Sequence, residues 1–308
     1  MKAKDLFGPS TLEQYALCSY RWFVERELEP QSIDPEGDAL TAGDVAHKVL
    51  EKLYAARPAD ERRPTSATLP EWQRRAGELI AELGRERLPA DQADTAATLR
   101  RVEGMVLAFL ADEARSDTPF LPEPGLAEAG FGVDGAEKGP LMLGSGGVHG
   151  VVDRVDIGPG GLALVQDYKT AKKVDGGTGM LDRGKLQIQL YLLAVRELWG
   201  LDLAGGLYRP LGGTSDRQPK GLLRKDVAED LAALDPRPGD RLADEDFDQA
   251  LDSARGKAAE IIASIQEGEV TRNPLNHRCP DYCRFQPICR RERGLPEEEP
   301  GPEDEEES

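Results

Sequence analysis

The chain has 308 residues, of which 31% are charged and 6% are aromatic, and its formal net charge at pH 7 is −18. This length supports one substantial hydrophobic core, and the sequence has no run of about 18 apolar residues that would predict a transmembrane helix. The first residues lack the apolar stretch of a secretory signal, so we expect a cytoplasmic protein. The negative charge argues against a broad, non-specific nucleic-acid surface, because binding to phosphates depends on Lys and Arg.

The first predicted helix covers residues 10–28. Ser10 has a side chain suited to the N-cap position, and Glu13 lies where it would complete a capping box. The pattern therefore predicts that these two side chains start the helix by binding its first free backbone groups.

A second helix is predicted over residues 41–56 from the spacing of its apolar residues. His47 and Glu51 are four residues apart and therefore lie together on another face of this helix. Residues 58–118 follow as two helices that are broken near Pro89. We interpret this region as a helical insertion between the first helices and a sheet.

From about Leu126 the pattern changes to short alternating runs with Gly and Pro turns, which predict strands. A helix is predicted again over residues 183–198, a strand over residues 205–209 and a long helix over residues 247–266. Strands that lie between helices in this order predict an α/β fold.

Two of the predicted strands carry acidic residues. Asp153 ends one apolar run and Asp167 ends the next, with a glycine-rich turn at residues 158–161 between them. This arrangement predicts a hairpin. Lys169 follows Asp167 by two residues, so both side chains point to the same side of their strand. The hairpin would bring two carboxylates and an ammonium group into one small volume.

These residue types suit phosphodiester hydrolysis. Asp153 and Asp167 can supply oxygen ligands for one or two divalent cations, and the ammonium of Lys169 can orient an attacking water or offset developing negative charge. The alternative is that the two acids are solvated strand ends and Lys169 is an exposed base. The acids interrupt strands that are apolar enough to be buried, where an unpaired carboxylate is costly, and this combination favours the metal-site interpretation.

With these residues the chain resembles the PD-(D/E)xK nuclease superfamily, in its RecB-like branch, which includes the nuclease domains of bacterial recombination helicase–nucleases and the CRISPR-associated exonucleases. Residues 43–51 are similar to the G-x-x-x-H-x-x-L-E helix of that branch. Residues 150–156 are similar to its first acidic strand, residues 167–170 to its D-Y-K-T strand, and Gln187-x-x-x-Tyr191 to its Q-x-x-x-Y helix.

The resemblance implies a restriction-endonuclease-like core over residues 1–295, with a mixed central sheet flanked by helices. It implies that Mg²⁺ or Mn²⁺ is bound, that the substrate is DNA, and that the action is exonucleolytic on single-stranded ends, in repair, recombination or defence. The implied metal ligands are His47, Asp153 and Asp167. The implied catalytic residues are Lys169, Asp153, Asp167, Gln187 and Tyr191.

The sequence contains no Walker phosphate-binding loop, so any helicase would be a separate partner. The alternative function is a non-catalytic DNA-binding or adaptor subunit of a helicase–nuclease complex. Loss of the histidine, of either aspartate or of the lysine would have favoured that alternative, and all four are present.

Several nearby residues have more than one interpretation. Glu51 either completes the histidine helix motif or pairs with a nearby Lys or Arg. Glu128 either supports the site or is a solvated edge-strand acid. We expect Asp156 to be a structural partner of Arg154, and we expect Tyr168 to pack because it alternates away from the site.

The chain has four cysteines, of which three are clustered near its end. They are Cys18, Cys279, Cys283 and Cys289. In a cytoplasmic chain this grouping suggests a metal centre, and four thiolates suit either zinc or an iron–sulfur cluster. The resemblance implies a [4Fe–4S] cluster in a Cys-rich segment at residues 272–293. Zinc, with His277 in place of one thiolate, and four unrelated thiols are the alternatives.

The end of the chain combines a basic and an acidic segment. The cysteines lie among arginines that could contact a DNA strand or form a solvated charged end. These are Arg278, Arg284, Arg290, Arg291 and Arg293. Residues 296–308 carry eight acidic groups and no basic group. We predict that this tail is disordered, and a partner-binding or DNA-mimicking segment is the alternative.

Overall fold

A computed structural model describes most of the chain. The described residues are 5–30, 38–58, 61–88, 93–171, 174–213, 217–227, 229–277, 279 and 283–289. The predicted acidic tail, the predicted break at Pro89 and every arginine of the basic segment except Arg284 lie outside these residues. Within the described residues, no helix combines the length and the apolar composition needed to cross a membrane.

The described secondary structure contains both helices and strands. The strands are β1 (Leu6–Phe7), β2 (Leu121–Phe131), β3 (Leu141–Leu143), β4 (Gly146–Val148), β5 (Gly150–Ile157), β6 (Ala163–Lys169), β7 (Leu203–Pro210), β8 (Lys220–Arg224) and β9 (Arg241–Leu242). The α-helices are α1 (Pro9–Leu17), α2 (Ser19–Phe23), α3 (Asp38–Ala55), α4 (Leu69–Arg87), α5 (Ala93–Arg115), α6 (Gln187–Leu198), α7 (Asp244–Glu267) and α8 (Gln286–Cys289).

Six strands of the described chain form one mixed sheet in the order β2-β5-β6-β7-β8-β9. The β6–β7 and β8–β9 pairs are parallel and the other pairs are antiparallel. The predicted hairpin is confirmed, because β5 pairs antiparallel with β6. Gly160 and Gly161 in its turn have φ values of 68° and 79°, which glycine adopts without steric cost. A smaller sheet has the order β1-β4-β3.

Helices cover both faces of the large sheet. Apolar residues of α6 and α7 pack with Val155 and Val165 of the central hairpin. On the other face, α3, α4 and α5 share a core cluster with Tyr168. Burial of one large apolar side chain contributes about 1.5–3 kcal/mol, so these two layers account for much of the stability of the fold. The predicted α/β fold, a mixed central sheet flanked by helices, is confirmed.

The face that carries Tyr168 also holds a buried ion-pair network, which we call the arginine network. Its members are Arg154, Arg209, Glu113, Asp156 and Gln166. Each member is at most 5% exposed. Arg154 Nε lies 2.7 Å from Asp156 Oδ1, and Glu113 accepts from Arg154 at 2.9 Å and from Arg209 at 2.8 Å. Two cations and two anions therefore balance one another, as buried charges require.

The prediction of one helix over residues 10–28 is wrong. Cys18 has extended backbone angles, φ −172° and ψ 111°, and separates α1 from α2. The break occurs where Ser19 and Tyr20 bind another segment: Tyr20 N–H donates to Thr271 O at 3.1 Å, and Thr271 N–H donates to Ser19 Oγ at 2.9 Å. These contacts tie the beginning of the chain to a segment near its end.

The predicted capping box is also absent. The N-cap of α1 is Gly8, with no side-chain cap, and Pro9 occupies the first turn. Ser10 therefore falls inside the helix, where its hydroxyl cannot serve as the N-cap. The side chain of Glu13 accepts hydrogen bonds from the start of another helix, α6.

The remaining boundaries differ by a few residues. The predicted strand region begins at Leu121, and the helix predicted from residue 183 begins at Gln187, after Gly184 in the left-handed region with φ 69°. The two helices predicted between residues 58 and 118 are α4 and α5. Their description as an insertion stays a prediction.

Candidate active site

The site forms where β5 and β6 separate. Their Cα pairing ends at Arg154 and Gln166. Just beyond this pair, the Asp153 carboxylate accepts a hydrogen bond of 2.6 Å from the Tyr168 backbone N–H. The side chain of Asp153 thus replaces a backbone carbonyl as the hydrogen-bond acceptor for this residue of β6. The two strands diverge at this point, and Asp153 is fixed at the opening.

Three side chains from three elements meet at this opening. One ligand atom each from His47 on α3, Glu128 on β2 and Asp153 on β5 lies within 4.8 Å of the others. His47 Nδ1 is 3.3 Å from Asp153 Oδ1. An imidazole nitrogen and carboxylate oxygens are donors that a divalent cation accepts.

Glu128 reaches the site through an irregular strand. The register of β2 against β5 shifts between Pro122 and Ala127, and Glu128 follows with a positive φ of 53°. A non-glycine residue in this conformation stores strain, and such strain is concentrated at functional sites. Burial, followed by the charges of Asp153 and Glu51, raises the pKa of Glu128 to about 7. Of the two interpretations of Glu128, the structure supports a place at the site.

Asp167 and Lys169 continue the site on β6. Asp167 is 2% exposed, and its Oδ2 is 2.5 Å from Lys169 Nζ. Burial and the charge of Asp153 raise the pKa of Asp167 against the opposing effect of Lys169. Within the described residues, Asp167 is not a member of the compact three-donor group. Its carboxylate is engaged by Lys169.

The two predicted residues of α6 extend this line of contacts. Lys169 Nζ donates to Gln187 Oε1 at 2.7 Å, and Gln187 Nε2 donates to Tyr191 Oη at 3.1 Å. The Lys169 side chain is 31% exposed, so solvent and a substrate can reach it. Burial and the charge of Asp167 raise the pKa of Tyr191, which keeps its hydroxyl protonated. The structure thus joins Asp167, Lys169, Gln187 and Tyr191 in one chain of polar contacts.

We call the charged side chains at the opening the acidic cluster. Its members are His47, Glu128, Asp153, Asp167 and Lys169. Three carboxylates face one ammonium group and one imidazole, so with all carboxylates ionised the net charge is about −1 when His47 is protonated and about −2 when it is neutral, the form that binds a metal. Burial opposes protonation of His47, but Asp153, Asp167 and Glu128 outweigh it and raise its pKa to about 8. The excess charge and the converging donors both fit a divalent cation.

The other residues with open interpretations have structural partners. Glu51 pairs with Lys48 on α3, as one interpretation predicted. Arg154 donates to both oxygens of Asp156, at 2.7 and 2.8 Å, so the structural role of Asp156 is confirmed. Tyr168 is 2% exposed and packs in the α3–α5 cluster, as expected.

The cysteine-bearing segments approach each other. All four thiols are partly buried. Burial raises the pKa of Cys18, and the charges of Cys279 and Cys289 add to this effect. Cys18 is therefore within electrostatic reach of thiols that follow it by more than 250 residues. The iron–sulfur cluster stays a prediction.

Comparison with known proteins extends over nearly the whole chain. A family model described as the PD-(D/E)XK nuclease superfamily matches residues 7–290. That range includes the acidic cluster, both predicted residues of α6 and all four cysteines. A search of curated proteins gave no match.

Proposed function

The chain belongs to the PD-(D/E)XK nuclease superfamily, and from this premise we propose that it is a Mg²⁺- or Mn²⁺-dependent deoxyribonuclease that acts on single-stranded ends. The observation that carries the proposal is the acidic cluster. Its donors converge within 4.8 Å from three elements, beside an accessible lysine, and among the described residues no arginine forms an ion pair with its carboxylates. Burial and the charge of Asp153 raise the pKa of both Glu128 and Asp167, and a bound cation would offset this cost of ionisation.

His47, Glu128 and Asp153 would hold the cation, and Asp167 is a further proposed ligand. When bound, a divalent cation polarises the phosphate and stabilises the charge that develops during hydrolysis. The ligands would also lose their mutual repulsion, because the cation supplies the charge that the cluster lacks. The sequence left two interpretations of Glu128 open. The available signal for a place at the site was an acidic residue in the otherwise apolar stretch of residues 126–131.

The remaining side chains orient and stabilise the reacting groups. Lys169 orients the attacking water or offsets charge on the phosphate, and its contact with Gln187 limits the positions that its ammonium can take. Tyr191 already accepts a hydrogen bond from Gln187, so its own proton is available for a phosphate oxygen. We propose these roles from the contacts together with the Q-x-x-x-Y resemblance.

Degradation of labelled single-stranded DNA tests the activity. With Mg²⁺ or Mn²⁺ we expect the wild type to cleave, and we expect Asp167→Ala and Lys169→Ala to lose at least about 100-fold in rate. Lys257→Ala is the matched control, because Lys257 is an exposed lysine on α7 whose ion pair with Glu260 is at the surface. Equal cleavage by all four proteins would refute the assignment. DNA binding without metal-dependent cleavage would favour the adaptor function.

The mode of action needs a second set of substrates. Linear single strands, circular single strands, duplexes and RNA of the same sequence separate exonuclease from endonuclease action and DNA from RNA preference. We propose that linear single-stranded DNA is degraded and the circular form is spared. Cleavage of circles at the same rate would contradict the end-dependent part of the proposal and leave the nuclease assignment intact.

We also propose that the chain belongs to the RecB-like branch and binds a [4Fe–4S] cluster through Cys18, Cys279, Cys283 and Cys289. The contact between Arg284 and Glu25, 3.8 Å between Nη2 and Oε1, brings the segment after Cys283 near the helix that follows Cys18 and supports this part of the proposal. Purification without oxygen, a visible spectrum and analysis of iron and sulfide test it. A colourless protein with stoichiometric zinc would contradict the iron–sulfur assignment.

A further inference from the structure

Helix α6 begins without a cap of its own. Its N-cap is Leu186, which has no polar side chain, and the first N–H groups of a helix lack partners within it. Glu13 of α1 supplies the missing acceptor: its Oε1 accepts hydrogen bonds from the backbone N–H of Leu186 at 2.8 Å and of Gln187 at 2.9 Å. The Tyr208 hydroxyl accepts the next one, from Ile188 at 3.2 Å. The first turn of α6 is thus held from outside, by α1 and β7.

The position of Glu13 is well defined. The preceding residue, Leu12, is fully buried in the core. Tyr15, one half-turn further on, donates from its hydroxyl to Glu269 O at 2.6 Å and packs edge-to-face on Trp22 with ring centroids 5.3 Å apart. The carboxylate also lies at the positive end of the α6 dipole, which stabilises its charge. Glu13 is therefore a fixed acceptor.

The residue that Glu13 holds is part of the proposed catalytic chain. Gln187 is the first residue of α6, and its side chain accepts the 2.7 Å hydrogen bond from Lys169. We propose that Glu13 is a positioning residue, which holds the first turn of α6 so that Gln187 directs the Lys169 ammonium at the substrate. This inference rests on the proposed nuclease function.

The geometry separates this role from metal binding. The three-donor group comes from α3, β2 and β5, whereas the side chain of Glu13 binds the start of α6 and approaches Lys185 at 3.7 Å. Loss of Glu13 should therefore displace Lys169 from its working position and leave the metal donors in place. Turnover should fall while the affinity for the metal stays the same.

Four variants test the inference. Glu13→Ala removes the acceptor, and Glu13→Asp withdraws it by one methylene. Glu13→Gln keeps a carbonyl oxygen where the structure has Oε1, the atom that accepts both hydrogen bonds. Gln14→Ala is the matched control, because Gln14 is the next residue of α1 and its side chain accepts from Arg26 at the surface.

The readouts are kcat and KM on labelled single-stranded DNA and the Kd for Mn²⁺ without DNA. We expect kcat to fall about 100-fold in Glu13→Ala, as for a small displacement of a catalytic group, with KM and Kd changed less than about threefold. Glu13→Gln should retain kcat within about threefold, and Glu13→Asp should lose more than Glu13→Gln. Gln14→Ala should match the wild type.

The outcomes separate this inference from the function on which it rests. A wild type that cleaves no DNA with either metal refutes the proposed function and the inference with it. An active wild type with an equally active Glu13→Ala refutes only the inference. Equal losses of kcat and of Mn²⁺ affinity in Glu13→Ala would also refute it, because that result indicates general disruption. If Glu13→Ala does not fold, Glu13→Gln and Glu13→Asp decide, and equal kcat in these two overturns the inference.

Discussion

The acidic cluster and the arginine network are built from the same two strands and differ in charge balance. Side chains alternate along β5 and β6, so Arg154 and Gln166 face one side of the hairpin and Asp153 and Asp167 face the other. In the network, two arginines match two carboxylates. In the cluster, the carboxylates outnumber the single lysine. The difference teaches that burial of charged groups alone does not indicate a candidate functional site, whereas an excess of one sign of charge does.

Removal of one arginine from the arginine network should have the largest effect on stability. We expect Arg154→Met to lower the free energy of unfolding by about 3–5 kcal/mol, because Asp156 would keep a buried charge without its arginine and Glu113 would be left with Arg209 alone. Urea denaturation followed by circular dichroism measures this change. Arg74→Met on α4 is the control: Arg74 is 56% exposed and pairs with Glu71 and Glu78 at the surface, so we expect a change below about 0.5 kcal/mol. Similar losses in both variants would contradict the comparison.

Added metal should supply to the acidic cluster the positive charge that the two arginines supply to the arginine network. At a Mn²⁺ concentration of 100 times Kd, we expect about 2.7 kcal/mol of additional stability. Asp153→Ala should abolish this gain, and Asp252→Ala, which removes an exposed carboxylate on α7, should keep it. Thermal unfolding with and without Mn²⁺ measures the gain. A gain of equal size in Asp153→Ala would show that the cation binds elsewhere.

The same substitution should have opposite signs in the two regions. Without metal, Asp167→Asn should raise the free energy of unfolding by about 1.5 kcal/mol, since burial and Asp153 disfavour the ionised form. Burial also raises the pKa of Asp156, but its ionised carboxylate accepts two hydrogen bonds from Arg154, so Asp156→Asn should lower the free energy of unfolding. Urea titrations at pH 8 without metal distinguish the two. Destabilisation of equal size by both variants would remove the contrast.

The smallest expected effect is on the pH dependence of stability, to which the two regions contribute in opposite directions. The pKa of Glu128 is raised to about 7, so its stabilising contribution is present below about pH 4.5 and is lost as the pH rises through 7. Although burial opposes ionisation of Glu113, Arg154 and Arg209 lower its pKa to about 2, so its contribution is lost as the pH falls from about 4.5 toward 2.

We expect the metal-free protein to lose about 1 kcal/mol between pH 5 and 8, because a pKa shift of one unit corresponds to about 1.4 kcal/mol and solvent screens part of the effect. Glu128→Gln should flatten this slope, and saturating Mn²⁺ should reverse it. Melting temperatures across the range measure the slope. An unchanged slope in Glu128→Gln would mean that other groups, such as His47, cause it.

The features that the sequence predicts correctly depend on local patterns. The β5–β6 hairpin follows from two apolar runs around a glycine turn, and the spacing of Asp167 and Lys169 places both on one side of a strand. The partnership of Arg154 and Asp156 follows from the same alternation. Each of these inferences uses residues that are close in the chain, where geometry is nearly fixed by the type of secondary structure.

The features that it misses depend on contacts between distant segments. Glu13 matches a capping box for its own helix, yet it caps a helix that begins 174 residues later. A local pattern cannot distinguish these two partners, because both present the same free N–H groups. The approach of Glu128 to His47 and Asp153 likewise depends on a register shift in β2. The break at Cys18 depends on partners beyond residue 268.

The hydrogen bonds between Ser19, Tyr20 and Thr271 have a consequence for biosynthesis. Their partners are about 252 residues apart, and synthesis at 5–20 residues per second separates their appearance by roughly 12–50 s. The segment with Ser19 and Tyr20 therefore waits for Thr271 before these native contacts can form. Since the segment with Ser19 and Tyr20 also carries Glu13, these contacts do not fix the position of Glu13 relative to α6 until Thr271 has been synthesised.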